Sequence, residues 1–484
     1  MPLEAAPIST TANLPSRNDT STPHSIPPKM ERKAEEVVAV NASAAPQDPV
    51  DFELLFEQQQ EEARKKRQKI EEYLEQEEPN IWHPTQQRAL ERGPSYATST
   101  LKGYPRPSEQ IYVLGTDKQG QYIAHQLAGC MTIPPIRYLI HSAYVWTKWV
   151  EGDRRLRLYR GDDATTDQSR VIGEFISKRH EPRPSGAELP FNGPIENLII
   201  TLPAHELLHV LPLIRHRLDH RSTICLAQDG LGIAEFLVET LFTDPLTRPS
   251  FLLAHTTHAL AYVPREKFAI SEVRQGRFYL TGYRPLAGAR GQRVRIIRHP
   301  PIERTDRVSH LLRIMTATPG LKATGHPVDD FFREKLPVTA FRAAADPITA
   351  IMNCPYDKIP GNSHARLLFN SVLSEICEVS KRLPVAKNSQ KLNAFMRDGM
   401  LGREAFHKLK RQRSATSSMR HDMSWGDESD IDFLTGYFIK CAREVNVKTT
   451  ALETVLTLFK AAHATRRDER KAEIPYEEQE ALEQ

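Results

Sequence analysis

Residues 111–129 read IYVLGTDKQGQYIAHQLAG, an aliphatic and β-branched run that passes through a glycine-bearing turn straight into a helix-forming segment. A strand feeding a helix in this way predicts the opening unit of a doubly wound α/β domain, with Gly115 and Gly120 at the first and third glycines of G-x-G-x-x-G. The middle position is Asp117. A glycine there lets the backbone approach a pyrophosphate at the helix N-terminus, whereas a carboxylate sets negative charge against the phosphates. The two remaining glycines also have an architectural reading, a tight turn and close helix–strand packing. The next strand, IRYLIH, leads into Ser142, where a dinucleotide enzyme carries an acid for a ribose hydroxyl or a base for a 2′-phosphate.

Outward from this unit, the runs LIITL, STICLA, FLLAH and RFYLTG alternate with helix-like segments and predict a Rossmann-like domain over residues 109–325. Beyond His326 long amphipathic patterns replace the strands, so residues 326–465 are expected to be helical, with 466–484 a loose charged tail. Residues 1–50, rich in Pro, Ser, Thr and Ala, read as disordered, and 51–108 as an exposed charged helix with a linker. Residues 1–108 hold 13 Lys and Arg against 17 Asp and Glu, leaving 52 against 44 for the remainder, which is therefore mildly basic. A net charge of +4 excludes a strongly polybasic protein, and five scattered cysteines without a CxxC pair exclude a disulfide scaffold. No run approaches the roughly 20 apolar residues of a membrane span. The first 30 residues lack the apolar core of a secretory signal, and Glu4 and Asp19 weaken a mitochondrial presequence.

Several segments in order resemble the ketopantoate reductases, in particular their divergent fungal branch, over about residues 109–465. Besides the opening unit these are NLIITLPAHELLHVLPLIRHRLDHRSTICLAQDGLGI, ADPITAIMNCP and SSMRHDMSWGDESDIDFLTGYFIK. The resemblance implies a Rossmann domain followed by an all-helical domain of the 6-phosphogluconate dehydrogenase type, with the active site between them. It also implies NADPH as cofactor and ketopantoate as substrate. Carried over residue by residue, it exposes losses. The Lys of the family's Thr-Lys-Ala is Pro203, the Asn of Gln-Asn-Gly is Asp229, and the basic residue after the second strand is Ser142. The Asn before Pro is Asp346, a second Asn is Arg342, and the catalytic lysine is Val338. Ser418 is kept, and the substrate-holding glutamate is Asp430, one methylene shorter. Loss of a general acid costs about 10²–10⁴-fold in rate. Lys335, one helical turn before Val338, is the candidate replacement.

Two other patterns have a chemical and an architectural reading. HELLH at 205–209 fits the zinc-protease spacing, with His205 and His209 as ligands and Glu206 as base, but no third ligand is identifiable and Pro212 is expected to interrupt the helix just beyond. Basic runs at Arg154–Arg160, Arg290–Arg298 and Lys408–Arg413 could track a phosphate backbone or be solvated faces.

Two functions remain open. One is a degenerate, non-catalytic protein without cofactor, acting on mitochondrial RNA or the mitoribosome as the fungal cytochrome b translational activators do, which resemble ketopantoate reductases in the same degenerate manner. The other is an NADPH-dependent 2-dehydropantoate 2-reductase using Lys335, Ser418 and Asp430. The mitochondrion is the expected location under the first, with the cytoplasm as alternative, and a homodimer is a candidate assembly.

Overall fold

The computed structural model describes residues 107–161, 164–168, 170–177, 183–187, 192–285, 302–412 and 414–473, with the side chains of 164–168, 302–306 and 473 left undescribed. The expected N-terminal disorder, the charged helix and linker before residue 107, and the basic run at 290–298 lie outside these residues.

The first strand, β1 (Ile111–Leu114), is followed by α1 (Lys118–Ala128), β2 (Ile136–Ile140), α2 (Ala143–Glu151), β3 (Leu156–Arg160), β4 (Ala164–Gln168) and β5 (Val171–Phe175). Then come β6 (Asn197–Ile200), α3 (Ala204–Ile214), β7 (Thr223–Leu226), α4 (Ile233–Thr240) and β8 (Ser250–Thr256). β9 (Ala259–Tyr262), β10 (Ala269–Arg274), β11 (Phe278–Tyr283), α5 (Ile302–Ala317) and β12 (Ala323–Gly325) complete the sheet-bearing half. The large sheet has the order β12-β11-β8-β7-β6-β1-β2-β5. From β5 to β8 every pairing is parallel, the 3-2-1-4-5-6 order of a dinucleotide fold, and β11 returns antiparallel along β8. β1, β6 and β7 are buried along their whole length, as apolar parallel strands covered on both faces must be. A smaller sheet, β4-β3-β10-β9, lies beside it.

The second half is all-helical: α6 (Val328–Ile351), α7 (Lys358–Gly361), α8 (Ser363–Arg382), α9 (Pro384–Asn388), α10 (Gln390–Arg397), α11 (Met400–Gln412), α12 (Ser418–Trp425), α13 (Thr435–Glu444) and α14 (Thr450–Glu473). α6 is the axis of this array. Of its 24 residues, 16 are buried, including Phe331, Phe332, Ala343, Ala344 and Ala345. A helix buried around most of its circumference needs small residues where neighbours cross it, and the alanine run supplies them. One apolar core runs from Leu198, Leu207 and Ile224 of the Rossmann-like half into Phe341, Phe369 and Phe438 of the helical half, so the two halves share packing.

Two expectations are corrected. α3 continues through Pro212 to Ile214 and hands over to a 3₁₀ turn at Arg215–Arg217, because a proline in the last turn breaks one backbone bond without stopping a helix packed on a sheet. The charged segment after residue 465 is no loose tail up to Glu473, since α14 extends that far and Arg470 stacks 4.8 Å from the Trp425 ring. In the basic run around β3, Arg160 pairs with buried Glu272 at 2.8 Å and Arg157 with Asp153 at 3.4 Å, and Arg154, Arg155 and Arg160 are exposed.

Candidate functional site

The turn after β1 is shaped by close approach. Gly115 has φ +133°, and a Cβ there would lie 2.1 Å from Thr201 Oγ1; a Cβ on Gly120 would lie 2.0 Å from the Gly115 carbonyl oxygen. Both glycines are therefore required by packing alone. Asp117 is the N-cap of α1. Its carboxylate accepts from the Gly120 amide at 3.1 Å, from the Gln119 amide at 3.2 Å and from the Thr201 hydroxyl. Burial holds its pKa above the usual carboxylate range although these hydrogen bonds pull the other way. The amides of a helix N-terminus are the donors that would receive a pyrophosphate, and here an internal carboxylate takes them. The residues present do not fit a dinucleotide in the family's manner.

The neighbouring helix starts are occupied likewise. Ser142 caps α2 by accepting from the Val145 amide at 3.4 Å. Pro203 is the N-cap residue of α3 and carries no side-chain cap. The carboxylate of Asp430, from the 3₁₀ turn Asp430–Phe433, supplies one instead: Oδ1 accepts from the His205 amide at 3.1 Å and lies 2.8 Å from His205 Nδ1. Burial lowers the His205 pKa and the hydrogen bond and charge of Asp430 outweigh it, for a net rise.

The starts of α1 and α3 border a cleft of about 450 Å³ at the carboxyl ends of β1, β6 and β7, where open α/β sheets bind ligands. Its far wall is α6, α12 and the 3₁₀ turn. Arg342 of α6 reaches it and is consumed by the protein: Nη1 donates to Asp229 at 2.5 Å, Nε to Asp346 at 2.9 Å and Nη2 to Ser418 Oγ at 3.1 Å. Asp346 is fully buried and also accepts from the Tyr356 hydroxyl at 2.6 Å. Asp229, Arg342, Asp346 and Ser418 thus form one internal ion network, with Asp229 from the loop after β7 tied across to α6.

Lys335 and Val338 are not among the described residues lining this cleft. Lys335 is 3% exposed, and its ammonium donates to the Gln228 carbonyl at 2.6 Å, facing a small adjoining cavity. Burial lowers its pKa to about 8. Lys335, the expected replacement for the lysine, sits one turn of α6 from Val338, beneath the β7 loop and beside the cleft. The zinc reading also fails, because His205 and His209 face Asp430 and Glu428 and no group of three metal-ligating side chains converges among the described residues.

The sequence reading passed over the His205–Asp430 contact, Asp422 and Gln228. The i, i+4 spacing of Arg342 and Asp346 was the one available signal for the ion network.

Comparison with known proteins agrees with this fold. The model described as "Ketopantoate reductase PanE/ApbA" matches residues 111–284, and "Ketopantoate reductase PanE/ApbA C terminal" matches 330–463. A Schizosaccharomyces pombe protein named "Probable 2-dehydropantoate 2-reductase" is 20% identical over 363 residues, covering 72% of this chain and 95% of the relative. A Saccharomyces cerevisiae 2-dehydropantoate 2-reductase is 21% identical over 290 residues, covering 56% and 73%. Among solved structures, 2-dehydropantoate 2-reductase from Geobacter metallireducens superposes with a TM-score of 0.52 at 15% identity, covering 73% of this chain and 99% of that one. The Methylococcus capsulatus enzyme gives 0.50 at 16% identity, covering 74% and 97%. With both halves matched in order by the family's two models, the chain belongs to the ketopantoate reductase family.

Proposed function

We propose that this chain is a non-catalytic member of the family, a binding protein that keeps the reductase architecture without the reductase chemistry. The observation that carries the reading is Asp117, whose carboxylate takes the Gln119 and Gly120 amides at the start of α1. A bound pyrophosphate would have to displace that carboxylate and then lie beside it, against like-charge repulsion in a partly desolvated site. The apolar Val338 at the general-acid position and the engagement of Ser418 and Asp430 in internal contacts support the same conclusion.

Titration of the intact protein with NADPH, read by nicotinamide fluorescence and melting temperature, tests it. Ligand at 100 times its dissociation constant stabilises by about 2.7 kcal/mol, a shift easily seen. No binding up to millimolar NADPH is expected, and micromolar binding overturns the reading. A mitochondrial role in translation, through RNA or the mitoribosome, is the biological setting we attach to it; resemblance to the fungal translational activators supports this. Ultraviolet cross-linking in isolated mitochondria checks it, and failure to recover the chain with either RNA or ribosomes removes that setting.

A second reading, an active NADPH-dependent 2-dehydropantoate 2-reductase, is favoured by the relatives' names and by the Lys335 pKa of about 8. Its signature is ketopantoate turnover abolished by Lys335→Ala.

A further inference from the structure

The basic run at the end of α11 takes no part in the cleft, and it leads directly into a stretch of hydroxyls, Ser414-Ala415-Thr416-Ser417-Ser418. These hydroxyls fall into two groups. Ser417 is buried, and its Oγ accepts from the Arg420 amide at 3.1 Å as the N-cap of α12 and lies 2.8 Å from Thr349 Oγ1. Ser418 Oγ accepts from Arg342 at 3.1 Å. Both are committed to the fold. Ser414 and Thr416 are exposed, and their hydroxyls make no hydrogen bond among the described residues.

Ser414 is also the only serine among the described residues with an arginine three positions before it, Arg411. Arg411 and Lys410 are both exposed and form no ion pair among the described residues; the Lys410 ammonium lies 4.8 Å from the Phe406 ring centre. A guanidinium free at this spacing is what the acidic groove of an arginine-directed kinase can read through charge-assisted, paired hydrogen bonds. Place in the fold separates Ser414 from the other hydroxyls. A kinase groove takes its substrate extended, which a residue inside a helix does not offer. Thr316 follows Arg313 at the same spacing, but it lies within α5 and its hydroxyl donates to the Arg313 carbonyl at 3.1 Å. Ser414 lies past the end of α11, whose residues 410–412 are all exposed, and helix ends of this kind open at low cost. Two backbone hydrogen bonds hold the connection, Ala415 amide to Gln412 carbonyl at 2.9 Å and Tyr356 amide to Ala415 carbonyl at 3.1 Å. Presenting Ser414 costs the first of these and the last turn of α11, while the second keeps α12 and its cleft contacts in place.

We propose that Ser414 is a phosphorylation site for an arginine-directed serine kinase, with Arg411 as the residue the kinase reads. In the transfer Ser414 Oγ bonds to the γ-phosphorus of ATP, the bond from that phosphorus to the β–γ bridging oxygen breaks, ADP leaves, and the hydroxyl proton passes to the kinase's catalytic aspartate. The phosphate adds about −1.5 to −2 charges, enough to offset Lys410 and Arg411 and to remove the basic character of the end of α11. Ser414 carries this role whether or not the cleft takes NADPH.

The experiment incubates the intact, folded protein with ATP and the catalytic domain of a calcium/calmodulin-dependent protein kinase, which selects arginine three residues before serine, and locates the phosphate by tandem mass spectrometry. Phosphate on Ser414 is expected, abolished by Ser414→Ala and slowed about tenfold by Arg411→Ala, the loss of one charge-assisted contact. Both positions are exposed, and the melting temperature of each variant is recorded to show that the fold is kept. No incorporation, phosphate on Thr416 in place of Ser414, labelling that persists in Ser414→Ala, an Arg411→Ala rate equal to wild type, or labelling that requires prior denaturation each overturns the inference.

Discussion

Asp117 serves the fold through the same hydrogen bonds that close the anion site. Its carboxylate is the N-cap of α1, accepting from the Gln119 and Gly120 amides. Replacing an aspartate N-cap by alanine costs about 0.5–2 kcal/mol, so Asp117→Ala should lose about 1 kcal/mol in urea unfolding while Asp117→Asn, which keeps an acceptor, stays near wild type. Equal losses in the two variants would show that the cap contributes nothing. Arg342 has a larger effect. Removing its charge leaves fully buried Asp346 without its cation, and breaking a buried ion pair from one side costs about 3–5 kcal/mol. Arg342→Met should therefore unfold at markedly lower urea, and adding Asp346→Asn should recover part of the loss; a strictly additive double variant would deny the coupling.

At the scale of elements, the six apolar runs of the sequence all became strands, because a buried parallel strand must be apolar and such runs stand out against helical periodicity. β4, β5, β9 and β10 gave no strand signal in the sequence, and β3 lay within the basic run at 154–160. They carry sequences such as LRLYR and AISEVR, in which solvent-facing or ion-paired charges interrupt the apolar signal. Within the site, the residues that differ from the family's motifs were legible one by one. What they touch was not, since the Asp229–Arg342 and His205–Asp430 contacts join positions more than 100 residues apart. The end of α14 illustrates the same limit in reverse. Its charge suggested a loose tail, yet Lys, Arg and Glu are good helix formers and Trp425 offers a ring for Arg470. Arg470→Ala should cost about 0.5–1 kcal/mol, the range of a cation–π contact at an exposed site, and leave helix content by circular dichroism almost unchanged. Loss of about two turns of helix signal would mean that this contact alone holds the terminus.

For the whole molecule, Asp422 and His205, which face one another across the cleft, both have raised pKa values. Asp422 is pushed up to about 7 by burial and by Asp430 and Asp427, so between its unfolded value near 4 and pH 7 the folded state holds a proton that the unfolded chain has released. Stability must then fall as pH rises through that window. His205 acts in the same sense. Its pKa is raised by Asp430 despite burial, so its contribution is complete below the unfolded value near 6.5 and is lost as pH climbs through the folded one. Glu272, which burial alone would raise, is held low by Arg160, His258 and Tyr122, and it makes the opposite contribution only at more acid pH. Urea unfolding of the intact protein should consequently give lower stability at pH 8 than at pH 5.5. Asp422→Asn should flatten that slope, gaining more on wild type at pH 8 than at pH 5.5. A variant whose profile runs parallel to wild type across the range would mean that Asp422 titrates normally, and that the like charges of the cleft are screened from one another by water.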